Sequence, residues 1–363
     1  MDRSTIFITG GAGFIGSRLA ARCAADAHQV TVFDNCHPQA HAGNSDTRAL
    51  LVQRGVKIVQ GDVRDASALA AALAACRPQI VFHFAAETGT GQSFDLPARY
   101  NDVNVMGTAH LIEAIRSHGK LVRRVVLASS RSVYGEGAGL DADGRLCVAV
   151  ERVARDMERG DFAPKDVGGK ALRPVPSNAN CPVAPSSIYA STKLMQEFLL
   201  KQAFWGTKVA VGILRLQNVF GPGQSMNNPY TGVLSIFCRQ ILEGRSLSVF
   251  EDGLITRDFI LVDDVVSAFE AMANAQHMPT WILDIGSGQG ATILLVARRL
   301  VSLLGQDPAG ISISGAFRPG DIRHAVADIS RARQDLGWTP AFSLEQGLAR
   351  LSSWARQELR AIA

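Results

Sequence analysis

The chain has 363 residues, of which 47% are hydrophobic and 19% are charged, and its formal net charge at pH 7 is +4. This composition is typical of a globular protein with a substantial core, large enough for two lobes or one large domain. The basic residues are scattered, so the charge pattern favours neither nucleic-acid nor membrane binding. Apolar stretches fall short of the roughly 18 to 20 residues that span a bilayer. Met1 to Arg3 lead directly into a predicted strand without a signal peptide, so we expect a cytoplasmic protein.

The opening of the chain predicts a dinucleotide-binding unit. Residues 9–16 are Thr-Gly-Gly-Ala-Gly-Phe-Ile-Gly and follow an apolar run. Glycines at the end of a strand let the backbone approach a pyrophosphate, and the next helix offers its free N–H groups. Alone, such a motif also matches ordinary glycine-rich turns. Here a helix predicted over Phe14–Ala27 leads to a strand over Gln29–Phe33 that ends at Asp34. A carboxylate there reaches an adenosine ribose hydroxyl, so the order of elements favours the nucleotide interpretation.

The first half of the chain alternates strand-like runs with helical ones. The predicted strands are Ile6–Thr9, Val30–Phe33, Val56–Gln60, Ile80–Phe84 and Val125–Ser129. The predicted helices between them include Ala66–Ala75 and Val103–His118, where apolar residues recur at helical spacing. This alternation predicts an α/β fold built on a Rossmann-type, doubly wound parallel sheet with helices on both faces.

An insertion is predicted over about residues 137–185. From Asp141 to Pro185 charged residues, glycines and prolines occur with little periodicity. We predict a long loop here, and favour a mobile surface insertion over a lid that closes on a substrate.

The rest of the chain predicts a second, smaller lobe. A helix is predicted over Ser187–Phe204, a strand over Val209–Leu216 and a last helix over Leu344–Leu359. We expect residues 1–205 to form the dinucleotide-binding domain. Residues 206–363 are expected to form mainly a mixed α/β substrate-binding lobe, with some segments that return to the first sheet.

The cysteine and histidine patterns predict no metal site. The chain has six cysteines and eight histidines, and no two cysteines have Cys-x-x-Cys spacing. The histidines also lack the spacing of metal ligands. We interpret the cysteines as buried or incidental thiols.

Tyr189 and Lys193 lie four residues apart, on one face of a predicted helix. A free tyrosine has a pKa of about 10, so its use as a base at neutral pH requires nearby positive charge, such as a lysine and an oxidised nicotinamide. Alone, this spacing is as compatible with a surface tyrosine and lysine that have no joint role. Residues 128–135 follow the fifth predicted strand and place hydroxyl groups at the edge of the sheet where ligands bind, which favours the catalytic interpretation.

A set of motifs in a characteristic order gives the chain a resemblance to a known family. The motifs are the glycine-rich opening, Gly61-Asp62-Val63, His83-Phe84-Ala85-Ala86, Val103-Asn104-Val105-Met106-Gly107-Thr108, Ser-Ser-x-x-Val-Tyr-Gly at 129–135 and Tyr-x-x-x-Lys at 189–193. In these the chain resembles the extended short-chain dehydrogenases/reductases of the nucleotide-sugar epimerase/dehydratase family. The resemblance covers most of the chain apart from the insertion. It is greatest to bacterial 4-epimerases of dTDP-6-deoxyhexoses or UDP-hexoses.

The resemblance implies an NAD-dependent site. It makes Ser130 the catalytic hydroxyl, Tyr189 the acid/base and Lys193 its electrostatic partner. The residues that it implies for the cofactor are Gly10, Gly13, Phe14, Ile15, Gly16, Asp34, Asn35, Asp62, Val63, Ala85, Ala86, Asn104, Tyr189 and Lys193. An acidic Asp34 disfavours a 2′-phosphate, so the expected cofactor is NAD and not NADP.

The same resemblance implies a nucleotide-diphosphate sugar as the substrate. The residues that it implies for this ligand are Glu87, Thr88, Ser130, Asn218, Phe250, Arg257 and Arg318. Arginine suits a diphosphate because its guanidinium stays charged and forks onto phosphate oxygens; without this context a surface ion pair would be the default interpretation. By similarity, Leu283 occupies the position that gates the sugar pocket. The helices over Val103–His118 and Ser187–Phe204 resemble the pair that forms a homodimer interface in the family.

The two residues after Ser130 bear on the reaction. The dehydratases of the family carry an Asp-Glu pair there for water elimination at sugar carbons 5 and 6, whereas this chain has Arg131 and Ser132. We therefore expect a 4-epimerase that oxidises the sugar transiently at carbon 4 and returns the hydride to the opposite face. The resemblance further implies dTDP-L-rhamnose or a related 6-deoxyhexose as its substrate. Two alternatives stay open. One is a nucleotide-sugar dehydrogenase/reductase or dehydratase of the same fold, and the other is a catalytically idle NAD-binding regulator.

Overall fold

Strands and helices alternate through the first half of the chain. The computed structural model describes residues 3–41, 45–226, 228, 232–276, 281–305, 310–318 and 320–362. The first strands are β1 (Thr5–Thr9), β2 (Gln29–Asp34), β3 (Lys57–Gln60), β4 (Ile80–His83) and β5 (Arg124–Ser130). The helices are α1 (Gly16–Ala25), α2 (Pro38–His41), α3 (Ser45–Gln53), α4 (Ala66–Cys76), α5 (Thr90–Asp95), α6 (Pro97–Tyr100) and α7 (Gly107–His118), with a π-helical turn over Asn101–Met106. The predicted strands are present, with ends that differ by one residue.

The second half mixes shorter strands with helices. A 3-10 turn (Arg131–Tyr134) follows β5 and leads to β6 (Ala138–Leu140), β7 (Leu146–Val148), α8 (Ala154–Met157), β8 (Arg173–Pro174), α9 (Ile188–Ala203), β9 (Ala210–Leu216), β10 (Asn218–Phe220) and α10 (Val233–Leu242). Then come β11 (Leu247–Val249), β12 (Thr256–Leu261), α11 (Val262–Asn274), β13 (Trp281–Ile285), β14 (Gly290–Thr292), α12 (Ile293–Leu303), β15 (Ile311–Ile313), β16 (His324–Ala325), α13 (Ser330–Leu336) and α14 (Leu344–Ile362).

Seven parallel strands form the main sheet, in the order β3-β2-β1-β4-β5-β9-β13. The predicted doubly wound α/β fold is therefore confirmed. The direction of winding reverses between β1 and β4, and ligands of such sheets bind outside the carboxyl ends of the strands at this point. The edge strand β13 comes from the second half of the chain, and the domain division near residue 205 stays a prediction.

Both faces of the main sheet are buried. In β1, Ile6 and Ile8 belong to a hydrophobic cluster with residues of α1 and α11, whereas Phe7 belongs to a second cluster with residues of α4 and α7. Parallel strands covered by helices on both faces bury apolar side chains in this alternating way. A third cluster joins α10, α12 and α14 to β12 and forms a further hydrophobic core in the C-terminal half of the chain.

The predicted loop of the insertion is largely irregular backbone, but it also contains a small sheet and one helical turn. β6 pairs with β7 and β8 in antiparallel fashion, so the three strands form a small sheet. Arg152 lies between β7 and α8, and its buried guanidinium pairs with Glu136 at 2.7 Å and Glu251 at 2.8 Å. The strands have only two or three residues each, too few to show a hydrophobic period in the sequence.

No helix within the described ranges is long and apolar enough to cross a bilayer. The same part of the chain contains no group of three or more His, Cys, Asp or Glu side chains placed to hold a metal ion.

Candidate active site

The glycine-rich turn between β1 and α1 has no room for side chains at two positions. Gly10 has a φ of 66°, and a Cβ atom there would lie 2.5 Å from the backbone nitrogen of Ala85. A Cβ atom at Gly16 would collide with the carbonyl oxygen of Gly10. Glycine at both positions lets α1 begin close to the ends of β1 and β4.

A cleft with an empty volume of about 750 Å³ lies beyond the carboxyl ends of β1, β2 and β4. The predicted residues that line it are Gly10, Gly13, Asp34, Asn35, Asp62, Val63, Ala85, Ala86, Glu87 and Thr88. Other lining residues, which the sequence did not single out, include His37, Gln39, Arg99 and Asn228. The predicted Phe14, Ile15 and Gly16 complete the turn beside the cleft.

Three carboxylates, those of Asp34, Asp62 and Glu87, line this cleft together with the guanidinium of Arg99. Asp34, buried at the end of β2, accepts a hydrogen bond of 2.9 Å from the backbone N–H of Ala12. Asp62 accepts hydrogen bonds from Asn35 at 2.9 Å and from Arg64 at 2.8 Å. The hydrogen bonds from Arg64 hold the pKa of Asp62 well below its usual range. A carboxylate at the end of β2 repels a phosphate on the ribose, which favours NAD over NADP.

Asn104 lies behind the cleft, fully buried in the π-helical turn. Its Oδ1 accepts a 2.7 Å hydrogen bond from the backbone N–H of Glu87, and its Nδ2 donates to the Thr192 hydroxyl at 2.9 Å. The Glu87 carboxylate pairs with Arg99 at 2.7 Å. Asn104 therefore ties the loop after β4 to α9, the helix that carries the Tyr-x-x-x-Lys motif.

Ser130, Tyr189 and Lys193 come together where β5 ends. Ser130 is the last residue of β5, and a hydrogen bond joins its side chain to that of Tyr189 in the first turn of α9. Lys193, one turn further along α9, is buried and donates from Nζ to the carbonyl oxygen of Ala128 at 3.0 Å. The structure thus assembles the three residues predicted to be catalytic.

Burial shifts the pKa values of the tyrosine and the lysine in opposite directions. Burial raises the pKa of the Tyr189 phenol, while the hydrogen bond from Ser130 and the positive charge of Arg131 oppose that rise. Burial lowers the pKa of the Lys193 ammonium to about 7, against the opposing effect of the Glu197 carboxylate. The charge of Lys193 therefore changes near neutral pH.

Three of the four predicted substrate residues in the C-terminal half take part in two side-chain contacts. Arg257 of β12 is buried, and its Nη2 donates to Asp321 Oδ1 at 2.7 Å. Arg318 lies over the ring of Phe250, with its guanidinium carbon 4.5 Å from the ring centroid. Other side chains of the C-terminal half therefore hold both guanidinium groups in place.

Arg131 contacts the remaining predicted substrate residue, Asn218. The Arg131 Nε donates to Asn218 Oδ1 at 3.1 Å, and the Arg131 Nη1 is buried with no hydrogen-bond partner among the described residues. The sequence marked Arg131 only as a departure from the dehydratase pattern. The contact joins positions 87 residues apart, so no local signal could have revealed it.

Leu283 does not gate a pocket, and that prediction is wrong. Its side chain is fully buried in the core, because strand β13 lies within a sheet whose two faces are both covered. The next residue, Asp284, accepts a hydrogen bond from the Tyr134 hydroxyl, which lies 2.8 Å and 2.9 Å from its two carboxylate oxygens. Arg215 lies over the Tyr134 ring and pairs with Glu197 at 2.7 Å. A buried polar network therefore lies beside the residues predicted to be catalytic.

Comparison with known proteins points to one family. The model of the NAD dependent epimerase/dehydratase family matches residues 6–147 and 166–286. The chain is 42% identical over 359 residues to a dTDP-L-rhamnose 4-epimerase of Burkholderia thailandensis, a match that covers 99% of this chain and 97% of the relative.

Solved structures of similar proteins have the same fold. A UDP-glucose 4-epimerase of Thermotoga maritima with UDP-glucose superposes with a TM-score of 0.78 at 26% identity, covering 98% of this chain and 99% of the other. A UDP-glucose 4-epimerase of Thermus thermophilus in complex with NAD superposes with a TM-score of 0.75 at 26% identity, covering 97% of this chain and 98% of the other.

Proposed function

The chain belongs to the NAD dependent epimerase/dehydratase family, and from this premise we propose that it inverts carbon 4 of dTDP-L-rhamnose. The predicted resemblance to extended short-chain dehydrogenases/reductases is thereby confirmed, and the chain is an NAD-dependent nucleotide-sugar epimerase. The observation that carries the choice of substrate is the 42% identity, over 99% of this chain, to a dTDP-L-rhamnose 4-epimerase.

The cleft fits NAD, because glycine at positions 10 and 16 lets α1 begin beside the ends of β1 and β4, and the free N–H groups of a helix N-terminus suit a pyrophosphate. Asp34 and Asn35 would hold the adenosine ribose, and Asp62 would flank the adenine. When bound, NAD supplies a reversible hydride acceptor for carbon 4.

Tyr189 moves the proton of the sugar 4-hydroxyl. It takes the proton as carbon 4 is oxidised and returns it when the 4-keto sugar is reduced on its other face. Ser130 orients the phenol through their shared hydrogen bond, and the charge of Arg131 favours the phenolate. Lys193, one turn further along α9, would add positive charge when it is protonated. At the end of the cycle each of these side chains has regained its initial protonation state.

The diphosphate of the substrate stays bound while the sugar rotates. Asn218, Arg257 and Arg318 would hold the diphosphate, which is common to the substrate and the product, so the 4-keto sugar can rotate without leaving the site. Elimination of water is disfavoured, because Arg131 and Ser132 offer no carboxyl group to act as acid or base.

We also propose that two copies associate through α9 and the π-helical turn before α7. Met106, Met195 and Phe198 expose 46%, 45% and 41% of their surface there. Homodimerisation and the cytoplasmic location expected from the sequence stay predictions.

The proposed function is tested by incubating the purified protein with NAD and dTDP-L-rhamnose and following inversion at carbon 4 by proton NMR. We expect turnover without accumulation of NADH. The Tyr189→Phe variant should keep its bound NAD and lose about 10²- to 10⁴-fold in kcat, the usual contribution of an acid/base group.

Other products would contradict the proposal in distinct ways. Accumulation of NADH, measured by its near-ultraviolet absorbance, would indicate a dehydrogenase, and loss of water from the sugar would indicate a dehydratase. Turnover of UDP-glucose in preference to dTDP-L-rhamnose would overturn the substrate. A wild-type protein as inactive as Tyr189→Phe on both dTDP-L-rhamnose and UDP-glucose would indicate a regulator.

A further inference from the structure

We propose that Arg131 is itself a substrate-binding residue, which fixes the amide of Asn218 and donates from Nη1 to an oxygen of the substrate's diphosphate. The inference rests on the proposed function, because it names a further residue that binds the nucleotide sugar at the same site.

The position of the Arg131 side chain supports a ligand-binding role. Arg131 begins the 3-10 turn that follows β5, and its side chain reaches across to β10, where Nε donates to Asn218 at 3.1 Å. The Nη1 group is shielded from solvent and has no partner among the described residues. An unsatisfied buried donor is costly, whereas a ligand oxygen in hydrogen-bond reach would satisfy it.

The charges around Arg131 favour an anion as that ligand. Arg257 lies close enough to lower the pKa of the Arg131 guanidinium, although burial is the larger cause. The carboxylates nearby are already engaged, since Asp321 pairs with Arg257 at 2.7 Å and Glu136 pairs with Arg152 at 2.7 Å. Two neighbouring guanidinium groups therefore share one carboxylate, and a diphosphate supplies both the missing charge and oxygens that suit the planar fork.

The contact with Asn218 also selects the amide's orientation. Because Oδ1 accepts the hydrogen bond from Arg131, Nδ2 is the atom left to donate to a ligand. Arg131 thus contributes one donor directly and a second through Asn218. Loss of the guanidinium would remove the first donor and free the amide to turn.

The test measures binding of free nucleotides to the NAD-loaded protein by isothermal titration calorimetry, with dTDP and dTMP as the ligands. We expect Arg131→Met to weaken dTDP binding about tenfold to a hundredfold, the range for loss of charged hydrogen bonds, with a smaller effect on dTMP. Arg131→Lys keeps the positive charge but lacks the planar guanidinium fork, so its affinity for dTDP should lie between those of the wild type and Arg131→Met. Arg245→Met is the matched control, because Arg245 is an exposed arginine paired with Glu243 at the surface, and it should bind as the wild type does.

Three results would overturn the inference. Unchanged dTDP affinity in both Arg131 variants is the first. The second is a shift of the pH profile of kcat/KM without loss of dTDP affinity, which would mean that Arg131 acts only on Tyr189. For the third, UDP-glucuronate and UDP are titrated as additional ligands. If the Arg131 variants bind only UDP-glucuronate more weakly, with the affinities for dTDP and UDP unchanged, the guanidinium belongs to a sugar carboxylate.

The outcome is separable from that of the proposed function. If Arg131→Met lowers dTDP affinity and the wild type inverts no sugar, the inference stands and the proposed function fails. If the wild type inverts dTDP-L-rhamnose and both Arg131 variants bind dTDP as tightly as the wild type, the inference fails and the proposed function stands. If Arg131→Met loses NAD or unfolds, the dTDP affinity of Arg131→Lys decides the question: a value below that of the wild type supports the inference, and an unchanged value overturns it.

Discussion

Asp284 is a carboxylate in a place that favours a neutral group. Burial raises its pKa to about 7, and Glu197 and Asp328 act in the same direction, while the Tyr134 hydrogen bond and Arg215 oppose the shift. An aspartate in an unfolded chain titrates at about 3.9. Since the folded value is the higher one, the contribution of Asp284 to stability is fully present below pH about 4 and is lost as the pH rises to about 7.

The Asp284→Asn variant should therefore gain stability with rising pH relative to the wild type. Asparagine keeps an acceptor for the Tyr134 hydroxyl and carries no charge to bury. We expect the difference in the free energy of unfolding to favour the variant by about 2 kcal/mol more at pH 8 than at pH 5. Chemical denaturation of the NAD-saturated proteins at both pH values measures this difference.

Tyr134→Phe provides the opposing control. It removes the hydrogen bond that lowers the pKa of Asp284, so it should lose more stability at pH 8 than at pH 5. A pH-independent difference between Asp284→Asn and the wild type would show that the carboxyl group keeps an ordinary pKa in the folded protein.

At the scale of elements, Arg152 ties the insertion to segments of the C-terminal half of the chain. The side chain of Arg152 is only 4% exposed. Besides its two glutamate partners it donates to the carbonyl oxygen of Asp321 at 2.6 Å, and Asp321 in turn holds Arg257. Arg323 extends the network, pairing with Glu251 at 2.6 Å. The insertion therefore positions an arginine proposed to bind the diphosphate.

We expect Arg152→Met to impair both stability and substrate binding. Removing one partner of a buried ion pair leaves uncompensated charge, which costs roughly 3 to 5 kcal/mol, and the loop that carries Asp321 loses an anchor. The KM for dTDP-L-rhamnose should rise about tenfold, equivalent to about 1.4 kcal/mol. The NAD content should stay unchanged, because neither Arg152 nor its partners Glu136, Glu251 and Asp321 line the cleft. Thermal denaturation and steady-state kinetics provide the readouts.

Arg155→Met is the matched control within the same insertion. Arg155 is exposed on α8, so its replacement should alter neither KM nor Tm appreciably. An equal effect of the two substitutions would mean that the insertion tolerates loss of charge anywhere, and would contradict a specific bracing role for Arg152.

Local patterns predict the elements of this fold far better than its long-range contacts. The Ser187 side chain caps α9 by accepting a hydrogen bond from the backbone N–H of Ala190, only three residues further on, so the start of this helix is predictable from the sequence. The sheet of the insertion is not, because its strands are too short for a period and ion pairs hold it in place. Leu283 shows the same limit, since a motif position does not reveal which side chains a buried strand turns into the core.

The candidate site divides in the same way. Ser130, Tyr189 and Lys193 belong to motifs with fixed spacing, and the structure assembles them as expected. Arg131 meets Asn218 across 87 residues, and Tyr134 meets Asp284 across 150. Such pairs depend on the strand order of the sheet, which periodicity within one sequence does not specify.

For the whole molecule, the exposed apolar side chains of α9 and the π-helical turn form the surface where we propose that a second copy binds. The two elements pack against each other, so Met106, Met195 and Phe198 lie on adjoining segments. Single exposed apolar residues are ordinary, but several on neighbouring elements mark an association surface. A twofold arrangement would bury the same surface on both copies.

We expect the wild type to be a dimer and the double variant Met195→Glu/Phe198→Glu to be a monomer, because each carboxylate would have to lose its hydration in the interface. Light scattering coupled to size-exclusion chromatography should give twice 38.8 kDa for the first and 38.8 kDa for the second. Val167→Glu, at a residue 94% exposed on the insertion, should remain a dimer. A wild type that elutes as a monomer, or a double variant that stays dimeric, would remove this surface from consideration. Because the proposed catalytic groups all come from one chain, the monomeric variant should still bind NAD.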